Sequence, residues 1–480
     1  MNIRAPAQAH ATTLLERVAL RCCDWSERWV PDAYVFAALA VVIVAAVAIV
    51  LGATPLQTAQ AFGDGFWTLI PFTMQMSFII IGGYVVASSP PVARLIERLA
   101  AVPKTGRGAV CWIALVSMLV SLIHWGLSSI LGSLLARALG RREELDMDYR
   151  AAGAAAYLGM GSVWAMGLSS SAAQLQANPA SMPPSLLAIT GVIPFEQTIF
   201  LWQSWALTAV LIVVTLAIAW LTAPPPSQAR AARDYGVVDS VRPPAAVRGT
   251  RPGEWLEYAP WLNVIIAALG GAWLVHEFMT KGPSAAISSL NTYNFLFLML
   301  GLLLCWRPRT FLDAVARGVP SVSGVLVQFP FYGGIAAIIT APTGEGGASI
   351  AQHLAGLFTH AATRETFPVV MGAYSAVLGF FVPSGGGKWV IEAPYVMQAA
   401  NELKAHLGWA VQVYNAAEAL PNLINPFWML PLLGILGLKA RDVAGFTIVQ
   451  FVVHVPLVLF LLWLFGLTLD YTPPVMPPTP

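Results

Sequence analysis

Long apolar runs alternate with short polar ones along almost the whole chain. Runs at 33–52, 66–88, 151–176, 198–222, 258–276, 292–306, 319–341, 409–437 and 444–469 each read as a membrane-crossing helix. A helix needs roughly 20 mostly apolar residues to cross a hydrocarbon core of about 30 Å. Ahead of them, residues 12–29 read as a short amphipathic helix lying on the membrane. Two further apolar stretches, 109–138 and 367–400, behave differently. The second is broken in its middle by Pro383-Ser384-Gly385-Gly386-Gly387, followed at once by Lys388. Each of its arms has about 15 residues, or roughly 22 Å of helix, too short to cross. Both stretches are therefore expected to be re-entrant hairpins that reach the middle of the membrane and turn back. Irregular backbone at that depth is tolerated where it is buried in protein or lines a water-filled cavity. The glycines are expected to build the second turn.

Composition narrows the class. The chain has 480 residues, of which 57% are hydrophobic and 10% charged, against about 25% charged in soluble domains. Such a chain belongs in a bilayer, and a net charge of +2 gives no footing for nucleic acid. The 4 cysteines, Cys22, Cys23, Cys111 and Cys305, form neither a disulfide framework nor a zinc motif. The N-terminus lacks the apolar core and cleavage site of a signal peptide. Lys and Arg concentrate in 89–108, 137–150, 223–257, 307–317 and 438–443, while 177–197 and 342–363 hold none before Arg364. Basic loops stay cytoplasmic. With both hairpins re-entrant, the expected topology has nine crossings, a cytoplasmic N-terminus and an outer C-terminus. The expected division is an N-terminal repeat at 1–222, a linker at 223–257, a connecting span at 258–276 and a C-terminal repeat at 277–480.

The two halves match at a fixed offset. Ser117 in LVSMLVSLIHWGLSS and Ser375 in AYSAVLGFFVPSGGG stand 258 residues apart. The same offset lays Trp125–Ser129 on Pro383–Gly387 and Gly167–Ser169 on Asn425–Phe427. The odd span at 258–276 inverts the second copy. The fold expected is an all-α polytopic membrane protein with inverted repeats, two re-entrant helical hairpins and two broken transmembrane helices. Inverted repeats with paired broken helices point to a secondary transporter whose site lies at the repeat interface.

Four elements should converge there: the tips Trp125–Ser129 and Pro383–Lys388, and the breaks Gly161–Ser171 and Pro421–Pro426. Helix starts favour anions, and freed carbonyls suit Na⁺. The substrate-binding candidates are Ser128, Ser129, Pro383, Ser384, Gly385, Gly386, Gly387, Lys388, Asn422 and Asn425. Small residues also line tight helix contacts in lipid, which is the plainer role for any one Ser or Gly. Lys388 either meets a substrate carboxylate or pairs with Glu392 one turn on. Glu418, His124 and Ser169 are candidates for coupling, with Glu418 read alternatively as a partner for Lys388 and His124 as a packing residue. Gly126, Ser162 and Asn422 are candidate Na⁺ positions, so Na⁺ or H⁺ is the expected coupling ion, with no other cofactor. Trp125, Phe380, Phe381, Trp389, Phe427 and Trp428 flank the breaks. Asp64 reads as a turn or cap, and His454 as a packing residue.

At DGFWTLIPFTMQMSFIII (64–81), LVQFPFYGGI (326–335), VPSGGGKWVI (382–391) and NPFWMLP (425–431) the chain resembles the short-chain fatty acid transporter family. The resemblance runs from about Trp29 to the last span, and the glycine-run tip is its most specific part. It implies uptake of small monocarboxylates such as acetoacetate or butyrate across a bacterial inner membrane, by a dimer with elevator-type motion. It points to Pro383–Gly387, Asn422, Asn425, Pro426 and Phe427. In the family pattern His can follow the glycine run, where this chain has the permanent cation Lys388. One lysine suits a monocarboxylate better than a trianion; a carrier for dicarboxylates or another organic anion is the alternative. An enzyme is disfavoured by the lack of HExxH, GxSxG or phosphate-binding motifs. A channel differs from a carrier in lacking saturable counterflow.

Overall fold

A computed structural model describes residues 33–237, 251–343, 347–382, 384–425 and 427–476. The surface helix expected at 12–29, residues 238–250 of the linker, Pro383 and Pro426 lie outside these residues. Nearly everything described is helical. Its extended pairing is limited to two isolated bridges, Gly191 with Val475 and Pro342 with Ser349.

The first copy runs α1 (Ala33–Val50), α2 (Pro55–Phe66), α3 (Ile70–Ala87), α4 (Pro90–Ala100), α5 (Gly106–Ile123), α6 (Trp125–Gly140), α7 (Tyr149–Leu158) and α8 (Ser171–Gln176). After α9 (Pro184–Thr190) come α10 (Trp202–Thr222) and the connecting α11 (Pro260–Lys281). The second copy runs α12 (Leu290–Cys305), α13 (Pro308–Gly318), α14 (Ser323–Thr340), α15 (Ile350–Ala361), α16 (Phe367–Phe381), α17 (Gly385–Glu402), α18 (Leu407–Asn422) and α19 (Leu430–Leu436), then α20 (Ala440–Gly466). The order repeats element for element. The caps of α7 and α18, Asp148 and His406, stand 258 residues apart.

Among the described residues, seven helices are long and apolar enough to cross a membrane, and three shorter apolar ones accompany them. Two of these ten, 106–123 and 367–380, are hairpin arms. The others, with the broken helix of α18 and α19, correspond to the nine runs read from the sequence. The short helices α2, α4, α13 and α15, which lead into the spans and hairpins, were not foreseen. Asp64 lies inside α2 rather than at a turn.

The copies interlock. Tyr34 of α1 meets Phe331 of α14 with ring centroids 5.5 Å apart. In the mirror contact Gly301 of α12 lies against Val85 of α3. Gly65 of α2 packs on Gly333 and Gly334 of α14, and Gly318 of α13 on Tyr84 of α3. Lipid tails are as apolar as leucine, so close packing over small residues replaces hydrophobic burial as the force between helices.

Each hairpin starts and finishes at one end of the molecule. Arg142, just past α6, donates to Ala100 O and Pro103 O ahead of α5, at 2.8 and 2.9 Å. That end gathers the basic segments: Arg107 Nε donates to Ala223 O at 3.1 Å, Arg233 pairs with Glu143 at 2.8 Å, and Arg137 donates to Ile435 O at 3.3 Å. The second hairpin opens at the opposite end. There Asn401 past the middle of α17 donates to Ile189 O at 2.9 Å, and Arg364 ahead of α16 donates to Leu469 O at 2.9 Å. The repeats are inverted.

Candidate functional site

The two tips share one local geometry. His124, at φ −155° and ψ 104°, ends α5 and caps α6; its Nδ1 accepts the Leu127 N–H at 3.2 Å. Ser384, at φ −149° and ψ 101°, caps α17; its Oγ accepts the Gly387 N–H at 3.2 Å. A side-chain acceptor at this position satisfies one of the free N–H groups of a helix start. The first turn is the single residue His124, and the second lies between Phe381 and Gly385. The glycines therefore do not build the turn, contrary to expectation; they form the first turn of α17.

Their role is close approach. A Cβ on Gly385 would strike the Trp164 ring, one on Gly386 would lie 2.8 Å from Phe72, and one on Gly387 would strike Tyr332. The tip is thus pressed against α3, α14 and the first helix break. Phe72, Trp164 and Tyr332 escaped notice in the sequence because they come from other spans.

The breaks interrupt α7–α8 and α18–α19. In the first, Gly159–Val163 forms a wide π turn, Trp164–Met166 a tight one, and the chain then extends to the capping Ser170. In the second, Pro421 lies in the last turn of α18, where its missing N–H removes a helix hydrogen bond. Both breaks bind the arm that enters a tip in the same way. Ser169 N donates to Leu122 O at 3.3 Å. Asn425 Nδ2 donates to Phe380 O, 258 residues further on, at 3.1 Å. Trp125 and Trp428 pack edge to face at 5.6 Å. Tips and breaks meet, as the sequence pattern predicts.

The ionisable residues at depth form one cluster. Lys388, Glu392 and Glu418 are 0%, 0% and 1% exposed. Lys388 Nζ lies 2.9 Å from Glu392 Oε2 and 3.0 Å from Glu418 Oε2. It also reaches Ser375 O at 3.1 Å and Ser375 Oγ at 2.6 Å, and stands 4.2 Å from the centre of the Tyr414 ring. Ser375 Oγ donates to Glu392 Oε2 at 3.0 Å. An ammonium has three N–H donors, and here protein oxygens take them all.

The first hairpin holds a neutral version. Counted from the caps His124 and Ser384, Ser128 of α6 is the counterpart of Lys388, and Gly132 of Glu392. Counted from Asp148 and His406, Met160 is the counterpart of Glu418. Ser128 Oγ donates to Ser117 O at 2.7 Å and approaches Ser117 Oγ at 3.2 Å. A Cβ on Gly132 would lie 2.9 Å from Ser117 Oγ. The constant offset, which lays Ser128 on Gly386, is thus corrected by two residues along these arms.

The remaining candidates scatter. Ser129 Oγ donates to Trp125 O at 3.2 Å, and Ser162 Oγ to Leu158 O at 2.6 Å, each within its own helix. Gly126 packs on His124 and the Ile79 carbonyl. Asn422 is buried, and its Oδ1 has no hydrogen-bond partner among the described residues. His124 is buried against Tyr293 and Phe297, with ring centroids at 5.7 and 4.3 Å. His454 is held by Thr215 at 3.0 Å and Gln450 O at 2.8 Å. Trp389 lies against Tyr414 at 4.6 Å. Among the described residues, no three His, Cys, Asp or Glu side chains gather as a metal site.

Interlocked inverted copies, each with a hairpin and a broken helix, define a multi-pass membrane transporter. The chain belongs to the short-chain fatty acid transporter family: the family model described as "Short chain fatty acid transporter" matches residues 14–465. Two curated relatives have names that include "short-chain fatty acid transporter". One, from Escherichia coli (strain K12), is 35% identical over 437 residues, covering 91% of this chain and 96% of the relative. The other, from Haemophilus influenzae, is 29% identical over 450 residues, covering 92% and 98%. Two solved transporters share the fold. The Alcanivorax borkumensis YdaH transporter, described as having an unusual topology, aligns at a TM-score of 0.58 and 15% identity, over 92% of this chain and 100% of its own. Neisseria gonorrhoeae MtrF, described with a class of antimetabolite efflux pumps, aligns at 0.58 and 12%, over 95% and 100%.

Proposed function

We propose that the chain is a secondary active transporter that takes up short-chain fatty acids, small monocarboxylates such as acetoacetate or butyrate, coupled to H⁺ or Na⁺. It works in a bacterial inner membrane as a homodimer with elevator-type alternating access, the basic end and N-terminus facing the cytoplasm. The observation that carries this reading is that each hairpin tip packs on the broken helix of the other copy, Gly385 on Trp164 and Trp125 on Trp428. The proposed anion position is the start of α17, at Ser384 to Gly387, where the first N–H groups lack intrahelical acceptors and the helix dipole favours negative charge. Trp164 packs on Gly385 and has an indole N–H without an acceptor among the described residues. Phe72 and Tyr332 would wall the short tail, and Asn422, Asn425, Ser128 and Ser129 belong to the surrounding breaks and first tip. Lys388 is engaged by Glu392, Glu418 and Ser375, so the proposal leaves it out of direct contact with the substrate.

The test is uptake of labelled butyrate into proteoliposomes with Na⁺ and pH gradients imposed separately. Saturable accumulation under one gradient, with counterflow, is the expected result. A folded preparation that accumulates nothing under either gradient rules out butyrate and redirects the search to other organic anions.

A further inference from the structure

We propose that Glu418 carries one exchangeable proton, and that this proton is the ion moved with the substrate. The inference deepens the transport reading and rests on it for the coupling step alone. Its basis is a charge count at a buried place. One ammonium faces two carboxylates, all three at most 1% exposed. Among the described residues, the groups around them are neutral: Ser375 and Tyr374 from α16, Tyr395 from α17, Tyr414 from α18, Tyr157 from α7 and Tyr332 from α14. Lys388 balances one carboxylate. The second would leave a net negative charge inside the protein, and an unpaired buried ion is strongly disfavoured. A bound proton removes that cost.

Geometry assigns the proton to Glu418 rather than Glu392. Glu392 lies one turn from Lys388 on the same helix, and its Oε2 accepts from both Lys388 Nζ at 2.9 Å and Ser375 Oγ at 3.0 Å. Glu418 comes from another helix. Lys388 Nζ is 3.0 Å from its Oε2, yet neither of its oxygens makes a well-directed hydrogen bond among the described residues. It is the carboxyl held most loosely, and it lies one turn before Asn422 at the second helix break. A Cβ on Gly379 would be 2.9 Å from Glu418 Oε2 and 3.5 Å from Lys388 Cε, so a glycine lets the entering arm close over the pair.

In the step itself, the O–H bond of Glu418 breaks and the proton passes to water on the side of lower proton activity. The carboxylate that remains is shared with Lys388 until a proton from the other side restores it. No redox partner or metal is needed. Lys388 is a positioning residue that keeps Glu392 ionised and Glu418 able to release its proton. The first hairpin, with Ser128, Gly132 and Met160 at the matching places, has no such function.

Two measurements test this. Infrared difference spectra of purified protein at neutral pH should show a protonated carboxyl band in the wild type. That band should vanish in Glu418→Gln, which leaves Lys388 a single carboxylate to balance. Its absence from the wild type, or its survival in Glu418→Gln, overturns the proposal, and neither result depends on which substrate is carried. In proteoliposomes, Glu418→Gln should lose pH-driven accumulation while counterflow, which moves no net ion, survives. Wild-type uptake that follows Na⁺ and ignores pH, or a variant that still accumulates under a pH gradient, overturns it too. Failure of butyrate uptake in the wild type would count against the substrate alone.

Discussion

The two hairpins are the same device built with different chemistry. Each enters from its own end of the molecule, turns at a residue near φ −150°, and is held where its first arm ends by the broken helix that follows it. At the first, a serine pair and a glycine fill the space between the arms. At the second, a lysine and two glutamates fill it. The neutral pair is held by hydrogen bonds alone: Ser117 Oγ donates to Ala156 O of α7 at 2.5 Å, and Ser128 Oγ to Ser117 O. The charged cluster ties together α16, α17 and α18. An inverted repeat needs matching backbones to make two interconvertible faces, but it needs only one place to hold an ion. The asymmetry separates what the architecture requires from what the proposed coupling would require.

Lys388→Met breaks the comparison most severely. It strands the Glu392 carboxylate, and removing one member of a buried ion pair costs about 3–5 kcal/mol. The variant should unfold or melt far below the wild type in detergent. Adding Glu392→Gln and Glu418→Gln should recover most of the loss. At the first hairpin, Ser128→Ala removes only a neutral hydrogen bond, worth about 1 kcal/mol. If Lys388→Met melts no lower than Ser128→Ala, the cluster is not the buried, paired group described here.

Much of this was legible in the sequence, and the limits have physical causes. The hairpins, breaks and inversion follow from length, proline and glycine placement and basic loops, because a bilayer admits few backbone solutions. Lys388 with Glu392 was also within reach, since i and i+4 share a helix face. The sequence also admits Glu418 as a partner of Lys388; the link to Ser375 is out of reach, because it crosses between helices. The two-residue slip that pairs Ser128 with Lys388 was hidden as well. It appears only when the tips are matched by their caps, and a histidine and a serine do not align as letters. The glycine run was read as a turn when it serves packing, since the aromatic rings it admits lie some 50 to 315 residues away in the chain.

That packing role supplies a second contrast, smaller in energy. Gly385→Ala would drive a methyl into Trp164. Overpacking of this kind costs about 1–3 kcal/mol, and the melt should fall accordingly. At the first tip the nearest atoms to a Cβ on Gly126 are 3.4 Å away, an ordinary contact. Gly126→Ala should therefore be tolerated, with a gain of up to about 1 kcal/mol from a less flexible unfolded chain. Equal losses at both sites would mean the second tip is not pressed against the break.

The smallest contrast lies in the caps. Ser384→Ala leaves the Gly387 N–H without its acceptor and should cost about 1 kcal/mol, while Ser384→Asn, which restores an acceptor, should return most of it. His124→Asn keeps a capping acceptor for Leu127 but gives up the ring contacts with Tyr293 and Phe297, worth about 0.5–1.5 kcal/mol. Asparagine should thus nearly replace the cap at the second tip and fall measurably short at the first. Thermal melts of the three variants decide it. If Ser384→Asn is no better than Ser384→Ala, the hydroxyl is not acting as a cap, and the shared geometry of the tips has some other cause. If His124→Asn matches the wild type, the histidine ring adds nothing beyond its nitrogen, and the two tips differ in chemistry only at Lys388.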